Sequence, residues 1–539
     1  MAPNNDDSPP TMESPLRRLP ALVLAAAVPV ALVALTAPGQ AAAKPSALQL
    51  KFGKNTYAYN APYGEPALSI GPKHEIYTTT PGDGGAVLAK TTNRGATWTK
   101  LPTVTPPSDS PGQLTSGGDS EVAVAKDGTV YIGDLTIDGI EVSKSTDGGK
   151  TFPQQTFVGS SADREWLATY GAHGETVYVG WHELGTGTML VATSTDGGKT
   201  FGPPFPIYSN AETAGESVHN GTSIGQIGVD SRGRAFISYG VTRLDTTDTT
   251  YGTPPISQIK ISVKDPESPT WTDYTVNPGA ADANYGNFWM AAAADSADNL
   301  YAVYSGYAHK GQPMHVWLQK SSDHGATWTD PIAVDKVLPG PDGNDLFGWV
   351  AGGGPGVAVV SWYHTAAPNK DAKGIDWTVP VAQVRGLGTA NPQIIYGVAS
   401  DHSIHHGPIC TLGLFCGVLP GSASDRSLLD FFKVAVDSDG TAAVVWSDNN
   451  RVDGDAKTGV GFARQVAGPS AMKASLGSVT TGKQGKGTGT GTGSGSSGGS
   501  GGSGSGLPTT GVSVVVPLLA LALLAGALYA RTRSRSDRD

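Results

Sequence analysis

The sequence predicts an all-β chain, a β-propeller of antiparallel four-stranded blades. Three observations carry this. One short motif, S/T-x-D/N-x-G-x-T-W/F, occurs at residues 91–98, 145–152, 194–201 and 321–328. Around it, apolar strands alternate with short turns containing Gly, Asp or Asn, the pattern of antiparallel hairpins. Between the two ends of the chain no segment shows a convincing helical period.

The motif has a physical reading. Asn93, Asp147, Asp196 and Asp323 stand where a short polar side chain folds back onto backbone N–H groups, as in an Asx-turn. The glycine takes a backbone angle that other residues adopt only at a cost. The aromatic residue, on the outgoing strand, packs beneath the turn. Longer units surround the motif. Residues 121–131 and 433–446 give the template of apolar strand, turn and second strand, and it fits again at 166–181, 225–239, 289–304 and 349–362. A weaker match spans 66–77. Seven units result, at a spacing of roughly fifty to sixty residues, as in propeller blades with long loops. Seven blades are expected. Six are the alternative, with the weak first unit partly a cap. Units four, six and seven lack the motif, although unit four keeps Trp271 at the aromatic position. Unit seven is short of a strand. Residues 47–53 could supply it and close the ring, removing both free edges.

Four copies of the motif at matching offsets resemble the Asp-box, or BNR repeat, of sialidase-like β-propellers. The resemblance covers most of residues 46–468 and is architectural. It implies that the Asp-boxes lie on the face opposite the substrate, so Asn93, Asp147, Asp196 and Asp323 are expected to build turns. Sialidase catalytic domains are six-bladed, so seven units would be a departure.

The two ends read differently. Arg17 and Arg18 precede an apolar run at 19–35, followed by Ala41, Ala42 and Ala43. That is the order of a secretory signal peptide, cleaved near Ala43. The propeller is then expected over 44–470. Residues 471–506 form a Gly-, Ser- and Thr-rich linker that cannot bury a core. Residues 507–511 read LPTTG, an apolar segment long enough to span a bilayer follows at 512–530, and a basic tail ends the chain. This order resembles a Gram-positive sortase signal of the LPXTG type. It implies cleavage between Thr510 and Gly511 and linkage to peptidoglycan. A plain single-span membrane anchor is the alternative. Either way the propeller is expected outside the cell.

Lys and Arg number 37 against 47 Asp and Glu, for a net charge of −10. Such a balance argues against a nucleic-acid partner. Cys410 and Cys416 are the two cysteines. In an exported protein a small disulfide loop is the favoured reading. His402, His405 and His406 lie just upstream, but the spacing fits no standard zinc pattern.

A propeller works from the face where its innermost strands begin. The residues just before those strands are Glu65, Asp119, Glu121, Asp163, Arg164, Glu165, His219, Asn220, the stretch 284–287, Asp342, Asp345, Asp425, Arg426 and Asp430. Exits of the second strands add Asp134, His182, Glu183, Arg243, His364, Asp448 and Arg451. Each could instead fasten its blade to a neighbour. Together they make a polar pocket at the channel mouth. Trp166, Trp289 and Trp349 recur at equivalent positions, which points to packing more than to sugar stacking. Tyr363 is a looser candidate for a platform.

Sialidases grip a carboxylate with three arginines, since the guanidinium fork matches it. They use a Tyr nucleophile. The resemblance would place the first arginine in an Arg-Ile-Pro-like motif in blade one, and this chain has none. A substitute cluster of Arg164, Arg243, Arg426 and Arg451 would be non-standard. Asp163 with Glu165, or Asp345 with Asp430, could form a hydrolytic carboxylate pair. The expected function is therefore a surface-anchored propeller that binds, and possibly hydrolyses, an extracellular carbohydrate. No cofactor is required, with Ca²⁺ possible as a bridge to the glycan. The alternatives are an exo-sialidase-type glycoside hydrolase and a non-catalytic adhesion or protein-binding propeller.

Overall fold

The computed structural model describes residues 44–473 apart from 46–48, 61–63, 83–84, 103, 105–117, 137–138, 184–187, 209–215, 218–223, 244, 248–254, 287–288, 412–415, 417–424, 429 and 456–457. The signal peptide, most of the linker, the LPTTG site and the 512–530 segment fall outside them. Among the described residues no helix is long and apolar enough to cross a membrane. Apart from one 3-10 turn, Val334–Val337, the described regular structure is β.

Seven antiparallel blades form a ring. Their innermost strands are Ala67–Ile70, Ser120–Val124, Ala162–Tyr170, Ile224–Val229, Ala291–Ala294, Asn344–Gly352 and Lys433–Val436. Each touches the next, and Lys433–Val436 of blade 7 touches Ala67–Ile70 of blade 1. In blades 1 to 5 the strands follow chain order from the centre outward. The weak first unit is a complete blade, with strands Ala67–Ile70, Ile76–Thr80, Val87–Thr91 and Thr99–Lys100.

Blade 7 supplies three strands of its own. The chain's N-terminal segment supplies the fourth: Lys51 and Phe52 pair with Ala467 and Gln465, then Thr56–Asn60 continues along the same strand. The closing segment thus lies where residues 47–53 were expected, and extends further. Just upstream, Lys44–Pro45 runs parallel to the outer strand of blade 6.

The second strands explain why alternation is imperfect in the sequence. Val357–Thr365 of blade 6 is buried along nearly its whole length, because neighbouring blades cover both faces. A strand covered on both sides reads as a continuous apolar run. Each buried Val or Ile there contributes about 1.5–3 kcal/mol.

The Asp-boxes adopt one geometry. Asp147 Oδ1 accepts the N–H groups of Lys150 and Thr151 at 2.9 and 3.0 Å, and Thr151 Oγ1 donates to Oδ2 at 2.8 Å. Asp196 and Asp323 take the same bonds from Thr200 and Thr327; Asn93 Oδ1 accepts the Thr97 N–H, but its Nδ2 donates to Thr97 Oγ1. Hydrogen bonds from Thr151 hold the Asp147 carboxyl well below its usual range. Each box also rests on the preceding blade. Tyr131 Oη and Lys144 Nζ of blade 2 donate to the carbonyl of Gly197 in the box of blade 3. Thr56 Oγ1, on the closing segment, donates to Gly95 in the box of blade 1.

Candidate functional site

The antiparallel order fixes two faces. Innermost strands begin on one; their first turns and the Asp-boxes lie on the other. At the first face, blades 7, 1, 2 and 3 bring four carboxyl groups together. Glu65 precedes the innermost strand of blade 1, and Asp119 that of blade 2. Asp163 opens the strand of blade 3, and Asp430 precedes that of blade 7. Asp119 and Asp430 both act on the Glu65 carboxyl. Burial, with Asp119 and Asp430 adding repulsion, pushes Glu65 well above the usual carboxylate range. The same causes, burial first and then Asp119 and Asp430, push Asp163 up to about 7. Arg426 Nη2 lies 2.5 Å from Asp430 Oδ2 and favours its ionised form, although burial raises Asp430 overall.

A cationic layer lies beneath. Arg164, fully buried, donates from Nη1 to the carbonyl of Ser120 at 3.1 Å and from Nη2 to Glu121 at 3.3 Å. Its guanidinium lies over Trp166 at 3.8 Å and Phe431 at 4.1 Å. Lys433 Nζ also donates to Glu121 and lies over Trp166 and Trp349. Burial pushes this lysine down to about 8. Glu165 is fully buried, with neither oxygen hydrogen-bonded among the described residues. Burial drives it well above the usual range, against the pull of Arg164. The six carboxyls Glu65, Asp119, Glu121, Asp163, Glu165 and Asp430 thus face three cations, Arg164, Arg426 and Lys433.

The backbone here is strained. Glu65 and Arg164 have φ of 59° and 49°, a region that costs a residue with a Cβ about 1–2 kcal/mol. Arg164 is the extra residue of a bulge, since Asp163 pairs with His182 and Glu165 with Trp181. Bulges re-aim side chains, and this one turns Arg164 under the cluster.

The tryptophans fill the channel. Trp166 lies 5.2 Å from Trp349, 5.8 Å from Trp289 and 5.2 Å from Phe431, ring centre to ring centre. They form a packed aromatic plug beneath the carboxyls. Tyr363, considered as a platform, is instead buried against Phe432.

Other sequence candidates lie apart from this group. Arg243 makes a two-pronged pair with Asp245, both contacts at 2.7 Å. Arg451 pairs with Asp453 and lies over Tyr57. Asp345 accepts from Trp362 Nε1 at 2.6 Å and contacts His364 at 2.8 Å. Of the four arginines considered as a clamp, Arg164 and Arg426 share the acidic cluster, while Arg243 and Arg451 are held by acids two residues further on. Asp163, Arg164, Glu165, Arg426 and Asp430 come together. His219 and Asn220 lie outside the described residues. Cys410 and Cys416 are joined in a disulfide in the connection from blade 6 to blade 7. His402 sits between Asp401 and Asp448, and His406 contacts Asp376.

No family model matches the chain, and no curated protein matches it. Among solved structures, a protein of unknown function from Dyadobacter fermentans is 13% identical with a TM-score of 0.40, over 77% of this chain and 98% of its own. The GH93 α-L-arabinofuranosidase of Fusarium graminearum is 13% identical with a TM-score of 0.39, over 77% and 97%. The polysaccharide lyase Uly1 is 11% identical with a TM-score of 0.44, over 79% and 94%. No residue role is carried over from them.

Proposed function

We propose that this chain is an exported, surface-anchored propeller that binds a neutral or cationic glycan at its acidic mouth and cleaves a glycosidic bond by carboxyl acid–base chemistry. One observation carries the reading: Glu65, Asp119, Asp163 and Asp430 converge from four consecutive blades, and burial with mutual repulsion raises Glu65, Asp163 and Asp430 above the usual carboxylate range. A general acid works best when its pKa lies near the working pH. Asp163, at about 7, can give a proton to a leaving oxygen and take one back from water. Asp430, with Arg426 favouring its ionised form, suits the positive charge that develops on a sugar ring. The excess of carboxyls repels an anionic substrate. The sialidase alternative lacks an open arginine clamp, because Arg164 is sandwiched and Arg426 is engaged.

The test presents purified protein with neutral, amino-sugar and sialylated glycans, with and without Ca²⁺, measuring released ends and binding heat. Asp163→Asn should lower turnover by about 10²-fold or more while binding persists, and native turnover should decline above pH 7. Binding with no turnover on any glycan would favour the adhesion alternative. Sialic acid release lost on Arg426→Ala would establish the sialidase alternative instead.

A further inference from the structure

Blades 5 and 6 hold a second polar cluster, on the same face as the four carboxyls but built from different blades. His315 opens the third strand of blade 5, His315–Ser321. Asp335 lies on the 3-10 turn Val334–Val337 that follows it. Asp345 lies near the start of the innermost strand of blade 6, and its N–H donates to the carbonyl of Met314 at 3.0 Å. His315, Asp335 and Asp345 are only 6%, 6% and 2% exposed. One ligand atom from each lies within 4.8 Å of the other two.

Two features separate this cluster from an ordinary hydrogen-bonded group. The first is charge. Asp335 and Asp345 are both buried, and among the described residues neither pairs with a lysine or arginine; their partners are His315 and His364. Nearby Lys336 turns to Asp342. Buried carboxylates need a compensating charge. The other His–Asp–Asp group, His74, Asp437 and Asp439, shows the usual solution, with Arg464 contacting both carboxylates at 2.8 and 2.6 Å. The second feature is spare donor capacity. Both hydrogen bonds to the Asp345 side chain fall on Oδ1, leaving Oδ2 without one among the described residues. His315 Nδ1 and Asp335 Oδ2 face each other at 2.7 Å, and these two atoms, with an Asp345 oxygen, are the ones an ion would join.

We propose that His315, Asp335 and Asp345 bind one divalent transition-metal ion, with His364 and Trp362 holding Asp345 in position. Mixed imidazole and carboxylate donors suit Zn²⁺ or Mn²⁺. Ca²⁺ takes six to eight oxygens and does not fit this set. Donor atoms around a tetrahedral ion stand ~3.4 Å apart. The 2.7 Å contact of His315 with Asp335 therefore opens slightly as the ion displaces the shared proton, and Asp345 closes in. The ion clamps the outer part of blade 5 to the start of blade 6.

The test uses the untagged full chain, stripped with chelator and titrated calorimetrically with Zn²⁺, Mn²⁺ or Ca²⁺. One ion of Zn²⁺ or Mn²⁺ per chain is expected. Asp345→Asn should weaken binding by more than about 100-fold, and His364→Ala by about 10–100-fold, the range for a group that orients a ligand. His74→Ala should leave it unchanged. If Asp345→Asn fails to fold, His315→Gln serves: the metal should raise the melting temperature of the native chain and not that of the variant. No saturable binding, binding unaffected by His315→Gln, or Ca²⁺ held as tightly as Zn²⁺ and Mn²⁺ would overturn the assignment.

Discussion

At the residue scale, Asp163 joins the chemistry of the mouth to the stability of the fold. Its carboxyl is pushed up to about 7 by burial and by Asp119 and Asp430, whereas an unfolded chain releases that proton near pH ~3.9. Between those values the folded state binds more protons than the unfolded one. Stability from this group is therefore greatest in acid and falls as pH rises toward 7. Most carboxylates that are paired in a fold behave in the opposite sense. Asp163→Asn removes the titration. Melting curves from pH 4 to 8 should show the variant gaining on the native chain as pH rises, by roughly 2 °C or more above pH 7, with the difference gone near pH 4. Parallel curves would mean that the proton sits elsewhere in the cluster.

At the scale of the element, the Asp-box shows how a local motif becomes a joint between blades. The position after the Asp or Asn holds Arg94, Gly148, Gly197 and His324, and all four have positive φ. The following glycine does too, at Gly95, Gly149, Gly198 and Gly325. A Cβ on Gly148 would meet only the mobile end of Lys90, at 2.8 Å, and Tyr77 Oη. Gly148→Ala should then cost about 1 kcal/mol of backbone strain. On Gly95 the Cβ would lie 2.0 Å from Phe462 Cε1, a ring of blade 7. Gly95→Ala should cost that strain plus about 1–3 kcal/mol of overpacking. Chemical denaturation of the two variants measures the gap, and equal losses would show that the box is a turn and nothing more. The boxes were legible in the sequence because every group in them is local, from Ser145 to Thr151 in one case. The mouth was legible only as a set of strand starts, among them Glu65, Asp119, Asp163 and Asp430. Nothing local says that these four converge while Asp345 pairs with histidine. That depends on which blades are neighbours and on how deep each carboxyl lies. Lys433 and Phe431 escaped notice for the same reason, since one reads as a polar strand start and the other as core. The aromatic plug was read as packing, but its place across the channel follows only from the closed ring.

At the scale of the whole molecule, both ends of the described chain meet at blades 6 and 7. Residues 51–60 complete blade 7, so an early segment of the chain is part of the fold. After the last strand, Gly459–Ala467, the Ala471 N–H donates to the carbonyl of Gly440 and its carbonyl accepts from Gly354. Gly440 lies in the first turn of blade 7, on the face of the Asp-boxes. The chain therefore leaves the propeller opposite the acidic mouth. A Gly- and Ser-rich tether leading on to Thr510 would attach the propeller through its Asp-box face and leave the mouth free for a large glycan. Covalent wall linkage predicts that the protein stays with peptidoglycan after detergent extraction, and that Thr510→Ala moves it to the membrane or the medium. Complete extraction of the native protein by detergent would identify the 512–530 segment as the anchor. The exit from the Asp-box face would be the same in either case, because it follows from where the last strand ends and not from the chemistry of attachment.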